Sequence, residues 1–281
     1  MEDLRRRMQQ VSDNETTLPL VVLEAMLPRQ VISLQVQNQG LVDLVKSRLQ
    51  QETPTFGMLG LDPHQEEKNC SYLLSGVEVE IVGTPQVQHD SSRIALTLRA
   101  KRRFRIEEEE SVESKPGQGW TQAKVEFLDS TKEDAQTTDT RSIARAKQLC
   151  RQFHYHPNQK LLRTLSLSAE DADSQKSLVE LWVELAKQNE RMPGQVDRLL
   201  EDLGPIPSWD EPSECALWIG ALLNPLPPMG VAHEVRAKLL VATTAEERAR
   251  IALDTILHSI QLMRGHRRRI EYKIDNNKTE E

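Results

Sequence analysis

With 281 residues and a formal charge of −7, the chain can bury one large or two ordinary apolar cores. It is too acidic for a general nucleic-acid binder, although a local basic face is compatible with it. No apolar run approaches the roughly 20 residues of a membrane-spanning helix, residues 1–15 lack the apolar centre of a secretory leader, and the three scattered cysteines (Cys70, Cys150 and Cys215) exclude a disulfide framework and any Cys-x-x-Cys zinc site. These features point to an intracellular, cytoplasmic protein with an organelle left open, no membrane segment and no cofactor.

Residues 1–16 are polar and read as a flexible N-terminus. Leu18 to Leu23 predicts a short apolar strand, with Pro19 near its start where a missing N–H does least harm. Ile32, Leu34 and Val36 alternate with Ser33 and Gln35, which predicts a second strand, half-buried. Leu41, Leu44, Val45 and Leu49 have helical spacing. Thr55 to Gly60 reads as a strand whose glycines permit close backbone approach. Val77, Val79 and Ile81 then alternate with Glu78 and Glu80.

The stretch Arg93 to Glu110, RIALTLRAKRRFRIEEEE, reads as one long strand. Its even positions, Ile94, Leu96, Leu98, Ala100, Phe104 and Ile106, form an apolar side; Arg99, Lys101, Arg103 and Arg105 form a cationic side. Arg102 alone breaks the pattern. A buried unpaired charge costs several kcal/mol, more than the roughly 1.5–3 kcal/mol gained per large apolar side chain buried. Arg102 is therefore expected to reach a carboxylate or backbone carbonyls, or to sit where the sheet is open to water.

After a turn at Pro116–Gly117, Ala123, Val125 and Phe127 alternate with Gln122, Lys124 and Glu126. Many strands and a single helix over residues 17–129 suggest a small barrel or sandwich. Residues 130–140 are polar and non-periodic and read as a linker, and residues 141–264 read as helices. Their apolar stripes run through Ala146, Leu149, Cys150 and Phe153, through Leu178, Leu181, Trp182 and Leu185, and through Ala249, Leu253, Ile256, Ile260 and Met263. Thr244 and Glu247 resemble a capping box for the last helix, stiff breaks fall at 204–207 and 224–230, and residues 265–281 read as a flexible tail.

Several pieces occur in a telling order: Leu18–Pro19–Leu20, Leu27–Pro28 ahead of the ISLQV strand, Phe56–Gly57, and Gly76 opening VEVEIV. RRFRI at Arg102 to Ile106, GWTQAKVEFLD at Gly119 to Asp129, Ala216 to Leu223, Arg236 to Leu240 and the helix EERARIALDTIL follow. Over about residues 17–264 this set resembles the N-terminal domain of Lon proteases. The resemblance implies an α+β fold, a PUA-like β pseudo-barrel followed by a helical bundle, with Leu18, Pro19, Leu20, Pro28, Phe56, Gly57, Gly76, Arg102 and Phe104 as structural motif positions. Two departures bear on local geometry: Ala100 stands where the family usually has glycine, and Arg29 rather than glycine follows Pro28.

No Gly–Lys dipeptide occurs, so no phosphate-cradling loop of the Gly-x-x-x-x-Gly-Lys type exists, and only a short tail follows Arg264. The expectation is a stand-alone, non-catalytic relative without the ATPase and Ser–Lys protease that a Lon protease carries. The resemblance implies recognition of proteins or exposed peptide segments; the physical means expected is a groove between barrel and bundle that accepts apolar side chains, with sheet-edge backbone groups pairing to an extended chain. It would act as a monomer or small oligomer, as a substrate receptor or adaptor beside a protease or a ubiquitin-ligase component.

The cationic side, Arg99, Lys101, Arg103 and Arg105, has two readings. It could bind RNA phosphates, as PUA-related folds do; the preferred reading is a solvated strand face paired with Glu78, Glu80 and Glu126, so nucleic acid is not an expected partner. His154 and His156 suggest metal, but no carboxylate or cysteine pattern accompanies them, so a surface histidine pair is favoured. Pro225, Pro227 and Pro228 read as a rigid connector. No Gly-x-Ser-x-Gly elbow occurs, and Trp209, in a polar proline-rich loop, is the tryptophan expected to be exposed for a partner.

Overall fold

The computed structural model describes residues 15–61, 72–87, 93–106, 113–114, 120–137, 139–155, 176–223 and 232–278. The Pro116–Gly117 turn, His156, Cys70 and the 224–230 break lie outside the described residues. The chain divides into two compact units between Asp129 and Ser130. Among the described residues no helix is long and apolar enough to cross a membrane.

In the first unit the strands are β1 (Glu15–Leu23), β2 (Val31–Val36), β3 (Thr55–Leu61), β4 (Tyr72–Val87), β5 (Ile94–Ile106), β6 (Glu113–Ser114) and β7 (Thr121–Leu128). One helix, α1 (Gln39–Arg48), follows β2; Asn38 caps it by accepting the Leu41 N–H, and it buries Leu41, Val42, Leu44 and Val45. The sheet runs β2-β5-β4-β3-β1-β7-β6, and β5 also pairs with β7. That last pairing closes β5, β4, β3, β1 and β7 into a ring, the pseudo-barrel. Only β1 and β3 run parallel among the described pairs; the other ladders are antiparallel.

Phe104 shows how the glycines serve this ring. A Cβ on Gly57 would lie 2.5 Å from Leu20 Cδ2 and 2.9 Å from Phe104 Cζ, and one on Gly76 would also lie 2.9 Å from Phe104 Cζ. The ring of Phe104 thus fills a slot that two bare glycines leave open. Around it Leu18, Leu20, Leu59, Ile106, Ala123 and Val125 form a continuous buried cluster, and Phe56 and Pro19 are buried too.

The single alternation expected for β5 is corrected. Three steps along β5, from Ala100 to Arg103, match two along β4, from Val79 to Val77. The extra residue is a β-bulge at Lys101–Arg102, and it exchanges the faces of the strand. Before it, Leu98 and Ala100 share a face with Ile81 and Val79; after it, Arg103 takes that face beside Val77. Phe104 and Ile106 turn to the opposite core. Arg103, expected on the cationic side, is therefore buried at 2 % exposure. Arg102 meets both of its expected alternatives: its Nε lies 2.9 Å from Glu78 Oε2, and its side chain is 55 % exposed. The bulge is invisible in sequence because large apolar residues occupy even positions on both sides of it. It also marks where β5 changes neighbours, from β2 at residues 94–99 to β7 at residues 103–106.

Both departures from the family pattern fall at one place. Leu27 to Gln30 is a tight turn, with the Gln30 N–H donating to the Leu27 carbonyl at 3.2 Å and Arg29 left-handed at φ 73°. The Arg29 N–H donates to the Ala100 carbonyl, and the Ala100 N–H to the Gln30 carbonyl, each at 2.8 Å. Pro28 presets the turn, and Arg29 adopts a conformation that costs a non-glycine residue roughly 1–2 kcal/mol.

The second unit contains α2 (Ser130–Gln136), α3 (Thr140–His154), α4 (Leu178–Asn189), α5 (Gln195–Leu203), α6 (Pro212–Leu222), α7 (Ala232–Val241) and α8 (Ala245–Lys278). α6 is buried all round, which makes it the centre of the bundle. Trp182 of α4 is buried as expected, and its indole N–H donates to Ser259 Oγ of α8 at 2.9 Å. Capping is explicit: Asp139 accepts two N–H groups at the start of α3, Ser177 and Glu180 form a capping box at α4, and Thr244 accepts the Glu247 N–H at α8.

Two expected boundaries change. Residues 130–140, expected as a linker, begin with the helix α2, whose acidic side chains hold the bundle together. Asp134 accepts the Ser213 N–H at 3.0 Å and its hydroxyl at 2.6 Å, supplying the N-terminal cap that the N-cap residue Glu211 does not. Buried Arg248 donates to Ser213 Oγ and to the Ala242 carbonyl and pairs with Glu133 at 3.3 Å. The polarity that suggests a linker is thus the counter-charge of a buried arginine. Residues 265–278, expected as a frayed tail, continue α8 to Lys278: one glycine at 265 costs a helix about 1 kcal/mol, and the arginine-, glutamate- and lysine-rich sequence around it favours helix.

Candidate recognition surface

Beyond the closed ring, β2, the first half of β5 and the far end of β4 continue as a three-stranded flap. On its outward face lies a shallow groove of about 400 Å³, lined among others by Ser33, Gln35, Val82, Thr84, Gln86 and Thr97. The register explains the lining: Ser33 pairs with Thr97, Gln35 with Ala95, and Thr97 with Val82, so these residues share one face. Ser33 and Thr97 hydroxyls hydrogen-bond across the pair at 3.0 Å. Ile94, Leu96 and Leu98 point the other way into the core. The groove lining mixes polar with apolar side chains, Val82 and Ala95 among the latter, and carries no formal charge, so it can exchange hydrogen bonds with a ligand without desolvating an ion.

The four candidate cations have different fates. Lys101 pairs with Glu80 at 3.1 Å and Arg105 with Glu126 at 3.0 Å. Arg103 is buried. Arg99 is exposed, and among the described residues it makes no ion pair. Neighbouring Arg102 pairs with Glu78 and stacks over Phe127, its Cζ 3.7 Å from the ring centroid. The continuous basic stripe suggested by the sequence is therefore broken: Arg103 is buried, Lys101 and Arg105 are ion-paired, and Arg99 has no ion pair among the described residues.

Trp209, expected to be exposed, is half-buried, with the Arg151 guanidinium 3.8 Å over its ring. Beside it Lys147 pairs with Asp210 at 3.1 Å. His154 lies 3.7 Å from Cys215 Sγ; burial lowers its pKa, partly offset by a hydrogen bond to the Pro207 backbone. Hydrogen bonding to Cys150 and burial push the Cys215 thiol up, which favours its protonated form. Among the described residues no three histidine, cysteine or carboxylate side chains are placed to hold a metal ion.

A closed pseudo-barrel with an extended flap, joined in sequence to a helical bundle, is the class of fold these observations define. Residues 17–257 match the family of the ATP-dependent protease La (LON) substrate-binding domain, and the protein belongs to that family. Among solved structures it is similar to a Lon N-terminal domain protein from Xanthomonas campestris, at 26 % identity over 41 % of this chain and 60 % of that one, with a TM-score of 0.32. It is also similar to the N-terminal domain of a Mycobacterium avium complex Lon protease, at 16 % identity over 74 % of this chain and 98 % of that one, with a TM-score of 0.33. Family membership rests on the sequence match, not on these overlaps. No match was found among curated proteins.

The groove residues are absent from the sequence-based candidates. The alternation of Ser33 and Gln35 with Ile32, Leu34 and Val36 is readable, but which strand lies at the end of the sheet depends on pairings more than sixty residues apart, such as Ser33 with Thr97.

Proposed function

We infer that this protein is a non-catalytic receptor for polypeptide clients, an adaptor that presents them for proteolysis or quality control. The observation that carries the reading is the match of residues 17–257 to a substrate-binding domain family. The uncharged groove beside a sheet end supports it, because a protein backbone offers neutral donors and acceptors in the same alternation. A protease or a ubiquitin-ligase component is the partner such an adaptor requires. RNA binding is the weaker alternative: of the stripe that would grip phosphates, Arg103 is buried and Lys101 and Arg105 are already neutralised by Glu80 and Glu126.

Crosslinking with mass spectrometry of the full chain in cells, paired with capture of a chemically unfolded protein in vitro, tests the reading. Enrichment of protein clients and preference for the unfolded form are expected. Recovery of RNA with a steep salt dependence, or indifference to whether a client is folded, contradicts it.

A further inference from the structure

We propose that the open edge of β2 is a strand-addition site for an extended client segment whose residues alternate between apolar and uncharged polar. This rests on the receptor reading above and specifies where, and to what chemistry, reception occurs.

The sheet has two ends among the described residues, and they differ. One is β6, only two residues long; the other is β2, six residues long with an unbroken register to β5. Proteins ordinarily guard a long edge with lysine, proline, inward charge or a bulge, since exposed N–H and C=O groups template pairing with another chain. The β2 sequence VISLQV has none of these.

Backbone parity tells which groups are free to pair. The Ala100 N–H donates to the Gln30 carbonyl, and Val31 stands opposite Arg99. In an antiparallel ladder the inward bonds then fall on Ile32, Leu34 and Val36, and Val31, Ser33 and Gln35 turn their N–H and C=O outward. The side chains add a second, independent sign. On the core face Val36 is buried but Ile32 and Leu34 are only half-buried, so the apolar layer is unfinished at this edge. Apolar side chains of an added strand would complete it, and the intervening residues would lie beside exposed Ser33 and Gln35, where uncharged polar groups fit. Arg99, on the groove face beside Val31, favours an acidic residue at that end of the segment.

The probe is a fluorescein-labelled synthetic octapeptide of alternating valine and threonine with one terminal aspartate, titrated into the full chain and followed by anisotropy. Saturable binding is expected, weakened at least about tenfold in Ser33→Pro and in Gln35→Pro. Proline at either position removes an outward N–H and leaves the β5 ladder its bonds, so both variants should keep their thermal transition. If a proline variant fails to fold, the decision passes to octapeptides N-methylated on alternate amides, which need only the unaltered chain: one register should bind and the other should not.

Equal binding in both methylation registers overturns the proposal, as does binding indifferent to both prolines. A chain that captures unfolded proteins but ignores the octapeptide overturns the edge site and leaves the receptor reading standing; capture of neither sinks both. Self-association abolished by Ser33→Pro, without octapeptide binding, gives the edge to a second copy and also overturns the client occupant. Arg99→Glu should reverse the preference between aspartate- and lysine-ended octapeptides, and an unchanged preference removes the charge component.

Discussion

Each unit places an arginine against a carboxylate, and the two pairs are built in opposite senses. In the β unit the carboxylate is the hidden partner: the Glu78 side chain is 9 % exposed and Arg102 is 55 % exposed. In the helical unit the arginine is hidden, Arg248 at 2 % against Glu133 at 29 %. The hidden member decides what the pair is worth. A wet arginine can return to water when its partner is removed, but a buried one cannot, and the penalty falls on its remaining bonds. The β unit therefore depends on Arg102, whose loss strands the buried Glu78 carboxylate, and the helical unit depends on the acidic side chains of α2.

The largest expected effect tests that dependence. Asp134→Ala removes the cap of α6 and loosens Ser213 from Arg248, and should destabilise the helical unit by about 2–4 kcal/mol, read as a lower urea midpoint. A loss near zero would show α2 to be the linker its composition suggests. Next comes Gly57→Ala in the β unit. The added methyl group meets Leu20 and Phe104, and a loss of about 1–3 kcal/mol is expected, partly recovered in the double variant with Phe104→Leu. Additive losses would mean that Phe104 does not fill the slot.

Arg29→Gly should act in the other direction. Relief of the left-handed conformation stabilises by about 1 kcal/mol, measurable as a raised thermal midpoint. The smallest effect is on pH dependence. Backbone and hydroxyl hydrogen bonds from Ser177 hold Glu180 below the ordinary glutamate value of 4.5. A depressed carboxylate contributes stability that is present above the ordinary value and lost as pH falls through the folded one. Glu180→Gln should therefore lower stability slightly at neutral pH and flatten the acid limb below about pH 4.5, so that the two proteins converge at low pH. An unchanged acid limb would show the capping box to be dispensable.

The class of fold could be read from residue order alone. Strand alternation, helical stripes and the cap at Thr244 are local properties, written within a turn or a few pleats of chain. So are Gly57 and Gly76, whose bareness is visible even when the occupant of their slot is not. Tertiary structure decided the rest. The bulge at Lys101–Arg102 is set by pairing with β4, and it sends Arg103 inward where uninterrupted alternation puts it in solvent. The polar run at Glu133 and Asp134 becomes a bundle anchor only because Arg248, far along the chain, needs counter-charge. The groove, and the place of β2 at one end of the sheet among the described residues, follow from pairings between strands distant in the chain. Sequence patterns report which side of an element is apolar; they do not report which neighbour arrives on its other edge, because that is settled by burial and hydrogen bonding among residues remote in the chain.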